Sequence, residues 1–456
     1  VNTSSAQQKG LWGLSKPLLL EQALQFSVPL IDTLFLSIIS DHAAAAAGAI
    51  APILFLCGNL LWVIVFAGAS IANQRLGAGL KDKAIATIWV FAFWCMILSL
   101  MLAALLYWGI DPLIALMGLP AQMADYAHHY LHVAFVLVVI WSAKAICQSI
   151  LNMFGLPGWN LLANLIYFLA NLVGNTIIVF QLFGIPDYGI TGIAWASVIA
   201  SLLGVLVSLV AIATQLHLPF KWGDIRRHSA SVSQNLVRIG APSIIEPISF
   251  DLNLIMLNSL AAKVSALALT AKIFIFNTFM LGVIISVALT TATQILVTQK
   301  VGAGKLAHAD QQLRHSLRIS LMGTGVVAVI LTAFHHPIMA MYTQEQQLLG
   351  GAAWWFLLAA LSEPGRTTNI MVGFNLRATG DGWYISIAGP LFTWLVALPM
   401  AYVMAFILNW GLSGLLLGAL LDECGRALLF WRRWRQQHWH HSHIHAREAR
   451  KNPERV

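Results

Sequence analysis

Long apolar blocks recur along this chain, each closed by a short polar stretch that carries Pro, Gly, Lys or Arg. Residues 85–108 and 159–183 are two such blocks. Each reaches the roughly 20 residues that a helix needs to cross about 30 Å of hydrocarbon. Inside lipid the backbone must satisfy its own hydrogen bonds, which leaves helices as the spanning form for blocks of this kind. The pattern predicts twelve spans, over 15–39, 46–72, 84–108, 124–151, 159–183, 189–214, 237–261, 264–298, 312–334, 349–376, 383–408 and 411–431. Gly155-Leu156-Pro157-Gly158 and Gly184-Ile185-Pro186-Asp187 mark two of the boundaries. Several blocks exceed the minimum length, which implies tilt or protrusion from the bilayer.

The same pattern occurs twice. Pro17-x-x-x-Glu21 recurs as Pro242-x-x-x-Glu246, and Gln74-Arg75-Leu76-Gly77-Ala78-Gly79 recurs as Gln299-Lys300-Val301-Gly302-Ala303-Gly304, both 225 residues on. Gly158-Trp159 answers Gly382-Trp383, and Gly189-x-x-Gly192 answers Gly411-x-x-Gly414, at offsets of 224 and 222. Four matches in one order at nearly constant separation indicate duplication of a six-span unit. An even number of spans makes both units enter the membrane in the same direction, as parallel repeats. The expected fold is an all-α membrane protein of twelve transmembrane helices in two six-helix bundles. Residues 1–214 and 237–431 form the bundles, 215–236 a cytoplasmic connection, and 432–456 a basic, His-rich tail. Two such bundles imply a central cleft that rocks between inward-open and outward-open forms.

Composition agrees with this pattern. The 456 residues are 59% hydrophobic and 10% charged, too little charge to cover a soluble protein of this length. The first apolar helix, flanked by Lys9 and Lys16, lacks a small-residue cleavage site and is expected to remain as a span. Cys57, Cys95, Cys147 and Cys424 fall in or beside apolar helices without metal-ligand spacing, and read as small hydrophobes. The net charge of +8 sits at helix ends and in the tail rather than on one face, which argues against a nucleic-acid partner. Lys and Arg gather in alternate loops: Arg75, Lys81 and Lys83; then Lys221, Arg226 and Arg227; then Lys300, Lys305 and Arg314. By the positive-inside rule both termini face the cytoplasm, and the tail from Arg432 rests on anionic headgroups.

Charges within the apolar blocks carry the candidate chemistry. Asp32 lies in Phe26-Ser27-Val28-Pro29-Leu30-Ile31-Asp32-Thr33-Leu34, with no adjacent base. A carboxylate in hydrocarbon costs at least a few kcal/mol, so it faces a cavity or takes a proton. Competition between a proton and a cation at one such group is the chemistry of an antiporter; a permanent helix-helix hydrogen bond is the structural alternative. Pro29 deprives the Gln25 carbonyl of its helical donor and predicts a kink just before Asp32. In the fifth span Asn171 and Asn175 share one face, with Asn164 and Tyr167 nearby. Glu21, eleven residues before Asp32, lies on nearly the same face about 16 Å toward the cytoplasm. It acts as a proton relay or rests near the interface. Glu246 is its counterpart, Asp251 points to another face, and Leu257 stands where Asp32 aligns. Glu363 and Arg366 are three apart around Pro364-Gly365 and pair locally, while Lys144 lies at a nearly corresponding place in the first repeat. The two clusters need partners and read as a structural ion-pair network or as a cation or proton path. Lys272 is buried by the predicted spans and lacks an assigned partner. The run His438-Trp439-His440-His441-Ser442-His443-Ile444-His445 reads as surface metal capture or a membrane-associated tail, not a transport site.

The chain resembles the multidrug and toxic compound extrusion family across essentially all twelve spans. The resemblance rests on Val28-Pro29-Leu30-Ile31-Asp32-Thr33, Gln74-Arg75-Leu76-Gly77-Ala78-Gly79, Asn171-x-x-x-Asn175, Gly189-x-x-Gly192-x-Ala194-x-Ala196 and Arg377-Ala378-Thr379-Gly380-Asp381. It implies export of cationic or amphipathic compounds in exchange for protons or sodium ions, with Asp32 matching an ion-coupling aspartate and fifth-helix polar residues completing its site. Asn175 stands where many members have aspartate, and neither Asp251 nor Glu246 matches the seventh-helix glutamate of another branch in register. The expected function is proton-coupled export by a monomeric, multi-pass protein of the bacterial inner membrane. Sodium coupling is the alternative, as is a lipid-linked precursor flippase whose phosphate would meet Lys144 and Arg366. No catalytic constellation, metal site or cofactor motif is present in the sequence, so an enzyme is not expected.

Overall fold

The computed structural model describes residues 5–117, 121–342 and 345–441. Twelve long helices account for most of them. The first six are α1 (Ser5–Ile39), α2 (Asp41–Gly77), α3 (Lys81–Trp108), α4 (Ala121–Met153), α5 (Pro157–Val179) and α6 (Gly189–Gln215). The second six are α7 (Trp222–Val264), α8 (Ala266–Gly302), α9 (Leu306–Ala333), α10 (Gln346–Ala378), α11 (Gly382–Ile407) and α12 (Gly411–Arg435). Ten are apolar enough over 18 residues to qualify as spans by composition; α10 and α12 fall short because they carry buried charges. Short helices at Ile110–Met117 and His335–Tyr342 occupy matching places after α3 and α9.

Most helices run past the predicted spans, because polar ends continue the helix after the apolar stretch stops. The largest difference is at the expected connection 215–236, where α7 is already helical from Trp222. In the other direction, α5 ends at Val179 rather than residue 183, and Gln181 and Phe183 adopt positive φ values of 49° and 62°. No break in helical dihedrals marks Pro29, where a kink is expected. Helical dihedrals in α1 break at Gly10 (φ 62°, ψ −171°) and run through Pro29, whose own carbonyl accepts a 2.8 Å bond from the Thr33 hydroxyl.

The chain forms two compact units that divide between Val237 and Arg238. Within the first, α2 packs on α1, α3 and α4; α4 on α3 and α6; and α5 on α1 and α6. The second repeats this scheme, with α8 on α9 and α10, α10 on α9 and α12, and α11 on α12. Leu257, Leu260 and Ala261 of α7 meet Ala401 and Ala405 of α11, as α1 meets α5 in the first unit.

Four helices end in one and the same turn. After α2, α4, α8 and α10 a glycine adopts positive φ (Gly79 77°, Gly155 72°, Gly304 74°, Gly380 94°). In each case the next N–H reaches back five residues: Leu80 to Arg75, Leu156 to Leu151, Lys305 to Lys300 and Asp381 to Leu376, at 2.7–2.9 Å. This six-to-one closure pairs a carbonyl that would otherwise be orphaned at the helix end, and its left-handed residue favours glycine. Arg75, counted above as a loop cation, is 2% exposed; it donates to the Thr87 hydroxyl at 2.5 Å and the Lys83 carbonyl at 3.3 Å, tying α2 to α3.

Candidate functional site

Asp32 sits on α1, seven residues from its end, half-buried against α5 and α6. Asn175 Nδ2 donates to Asp32 Oδ1 at 2.6 Å and to Asn171 Oδ1 at 3.3 Å. Asn171 Nδ2 donates to Ser197 Oγ at 3.0 Å, and Ser197 Oγ donates to Asp32 Oδ2 at 3.4 Å. The four side chains therefore close a ring in which both branches of donors end on the carboxylate. The carboxylate is thus held by neutral donors, one on each oxygen. Asn175 Oδ1 is buried without a hydrogen-bond partner, so one acceptor beside Asp32 stays open.

Local sequence explains the ring. Asn171 and Asn175 are one turn apart on α5 and both 0–1% exposed. Gly174 lets α6 approach: a Cβ there would lie 2.9 Å from that of Ala196, next to Ser197. Ser197 was not singled out in the sequence, since serine is common in membrane helices and nothing local marks it. Tyr130 of α4, also unmarked, and Tyr167 of α5 lie within electrostatic range of Asp32.

Glu21 is 3% exposed, with Oε1 accepting from Gln25 Nε2 at 3.4 Å and Oε2 buried and unpartnered. Its charged neighbour is Lys144 of α4, whose Nζ lies 3.9 Å from the Tyr167 ring centroid. Lys144 thus sits with Glu21 and Tyr167 inside the first unit.

That second group is a closed ionic network in the second unit. Arg366 pairs with Glu363 at 2.5 Å and Glu423 at 3.3 Å, and Asn369 Nδ2 donates to Glu423 Oε2 at 2.7 Å. Arg426 reaches Asp422 at 2.7 Å, Glu423 at 3.2 Å and Glu246 at 3.5 Å, while Arg377 also pairs with Glu246. Every carboxylate in it touches a guanidinium, unlike Asp32. Asp422, Glu423 and Arg426 went unmarked although three charges in the last apolar block were a visible signal. Asp251 is exposed. Lys272 donates to Asn258 at 2.6 Å, which supplies the partner it lacked. His438–His441 form a short turn after α12; His443 and His445 lie outside the described residues.

Comparison with known proteins bears on this arrangement as a whole. The chain is 28% identical over 429 residues to the uncharacterized transporter YisQ of Bacillus subtilis, covering 94% of each. It is 24% identical over 435 residues to the probable multidrug resistance protein NorM of Thermotoga maritima, covering 92% of this chain and 91% of that one. Among solved structures, a MATE transporter of Vibrio cholerae superposes with a TM-score of 0.85 at 19% identity, covering 96% of this chain and 99% of that one. A MOP superfamily transporter from Pyrococcus furiosus superposes with a TM-score of 0.84 at 20% identity, covering 96% and 98%. These likenesses give the twelve-helix, two-bundle fold. The MatE family profile matches twice, at residues 17–177 and 242–403, once in each repeat. With most of its length matched, and the duplication matched with it, the chain belongs to the MatE family of membrane transporters.

Proposed function

We propose that Asp32 is the group through which this transporter couples export of cationic or amphipathic compounds to the inward movement of protons. Members of the family are secondary active antiporters, not enzymes, and this chain is one of them. The observation that supports the role of Asp32 is its setting: a carboxylate on α1 held by Asn175 and Ser197, with no Lys or Arg paired to it among the described residues. Neutral donors hold the carboxylate ready while leaving it free to take a proton, which a guanidinium partner would resist. When Asp32 is protonated its O–H needs an acceptor, and the open Asn175 Oδ1 is beside it. Pro29 lies three residues before Asp32 and leaves α1 one hydrogen bond short at Gln25, a place where the helix yields when the charge changes.

In this reading the chain works as a monomer with both termini in the cytoplasm, since Arg432, Arg433 and Arg435 end α12 and Lys81, Lys83, Arg226 and Arg227 lie at other helix starts. The test is efflux of a cationic dye from vesicles carrying the Asp32→Asn variant. Under an imposed proton gradient we expect efflux to fall to background, with dye binding retained. Efflux at the native rate rejects the assignment; dependence of native efflux on a sodium gradient alone transfers it to sodium.

A further inference from the structure

The interior of the first unit holds a second carboxylate that the coupling site does not use. Glu21 is 3% exposed, yet among the described residues no guanidinium or ammonium closes on it and its Oε2 has no hydrogen-bond partner. A buried carboxylate left this way is costly unless it takes a proton or a cation reaches it. Lys144 is the charged group within its range, and no other charge acts on it among the described residues. Its ammonium lies over the Tyr167 ring instead, at 3.9 Å from the centroid.

Between Asp32 and Glu21 the packed helices present polar groups in steps of one turn. Asn175, Asn171 and Tyr167 succeed each other on α5, and Ser197 and Ser201 do so on α6. Ser201 lies beside Tyr167, and Tyr167 is in range of Asp32 at one side and carries Lys144 at the other. On α1, Gln25 leads to Glu21. The whole track covers eleven residues of α1, about 16 Å of helix rise. The titratable groups facing it are Asp32 and Glu21 from α1, Tyr130 and Lys144 from α4, and Tyr167 from α5.

From this placement we infer that Glu21 is a second proton-carrying carboxylate on the cytoplasmic side of Asp32, with Lys144 as the tethered cation that makes it release its proton. The inference rests on the coupling role of Asp32. A proton leaves the Asp32 carboxyl, passes along the polar face through water admitted beside Tyr167, and is accepted by the Glu21 carboxylate. Lys144 then moves from the Tyr167 ring toward Glu21, favours the charged carboxylate, and the proton departs to the cytoplasm. No other bond changes, and the next cycle begins with Lys144 back on the ring.

The experiment uses the full chain in proteoliposomes with ethidium as the cationic substrate and a pH-sensitive dye inside. For Glu21→Gln we expect ethidium binding within about twofold of native, and proton-coupled efflux reduced by about a hundredfold, the low end for loss of a positioned proton-transfer group. Glu21→Asp should recover most of the rate. Lys144→Met should leave efflux active but move its pH profile to alkaline values by about one unit, because a nearby cation favours the deprotonated acid. Native rate and native pH profile in Glu21→Gln, with Asp32→Asn inactive, overturn the relay alone. Loss of binding and of a monodisperse peak in Glu21→Gln, unrescued by Glu21→Asp, also overturns it in favour of a packing role. A native rate in Asp32→Asn removes the coupling reading beneath it.

Discussion

Replacing Asn175 by aspartate tests the hydrogen-bond ring directly. Asn175 is fully buried, and its Nδ2 lies 2.6 Å from Asp32 Oδ1. Asn175→Asp exchanges that donor for an oxygen, so two carboxyl groups must share one proton or repel. Two unit charges about 4 Å apart at an effective dielectric constant of about 20 repel by about 4 kcal/mol. At about 1.4 kcal/mol per pH unit this displaces the last deprotonation by about three units, as an upper bound. Ser197 still donates to Asp32 and reduces the effect, so a displacement of about one to three units is expected. The assay is ethidium efflux from everted vesicles across a series of pH values, native against variant, at a fixed proton gradient. The variant profile should move to alkaline pH. Asn175→Leu removes the donor without adding a charge and should move it the same way by a smaller amount, about one unit. An unmoved profile in Asn175→Asp would refute the claim that this contact sets the protonation of the coupling group.

Three further outcomes follow from other parts of the molecule. Arg426→Met leaves Asp422, Glu423 and Glu246 without a shared guanidinium and should cost about 3–5 kcal/mol of stability, read as a lowered melting temperature in detergent; an unchanged melting curve contradicts the network. Gly418→Val should abolish the monodisperse peak on size-exclusion chromatography. A Cβ at that position already lies 2.2 Å from Ala401 Cβ and 2.7 Å from its Cα, and overpacking of this kind costs about 1–3 kcal/mol or more. His440 lies after α12 against Trp439, which stacks on Trp434 at 4.4 Å. Burial and the neighbouring His441 hold its ring below the ordinary histidine value, with Asp310 opposing them. The docked turn therefore keeps its stability above the ordinary histidine range and loses it as pH falls through the depressed value. Amide protection factors at 436–441, corrected for intrinsic exchange, should fall on acidification to about pH 5 relative to about pH 8; equal protection at both values sinks this reading.

The fold was readable because lipid imposes a simple demand on each block: enough apolar residues to cross, and a helix to pair the backbone. The blocks failed where that demand lapses. Residues 222–236 carry charges that the block pattern reads as a connection, yet α7 continues through them, tied to α3 by the bond from Trp94 Nε1 to Ser233 Oγ at 2.9 Å. Asp32, Asn171 and Asn175 stand out by being expensive in lipid, and the structure brings them into one ring. Ser197 does not stand out, because a serine hydroxyl satisfies itself on its own helix as easily as it serves a neighbour; only tertiary packing at Gly174 distinguishes the two. Arg75 misled in the opposite sense. Its charge suggested a loop, while its guanidinium is buried between α2 and α3. Pro29 removes a donor from α1, yet the backbone dihedrals there stay helical.

The four six-to-one turns also act as rulers of chain length. Gly79 and Gly304 are 225 residues apart, and so are Gly155 and Gly380, whereas Gly189 and Gly411 have drifted to 222. Since the halves diverged, length has changed only beyond these corners: one residue between Gly155 and Gly158, and two more before Gly189. An inserted residue at Ala78–Leu80 would break a closure the helix end depends on, while the exposed stretch around Asp187 has already absorbed such changes. Epitope tags and fluorescent labels therefore belong at Asp187, and the glycine corners are the places to leave untouched.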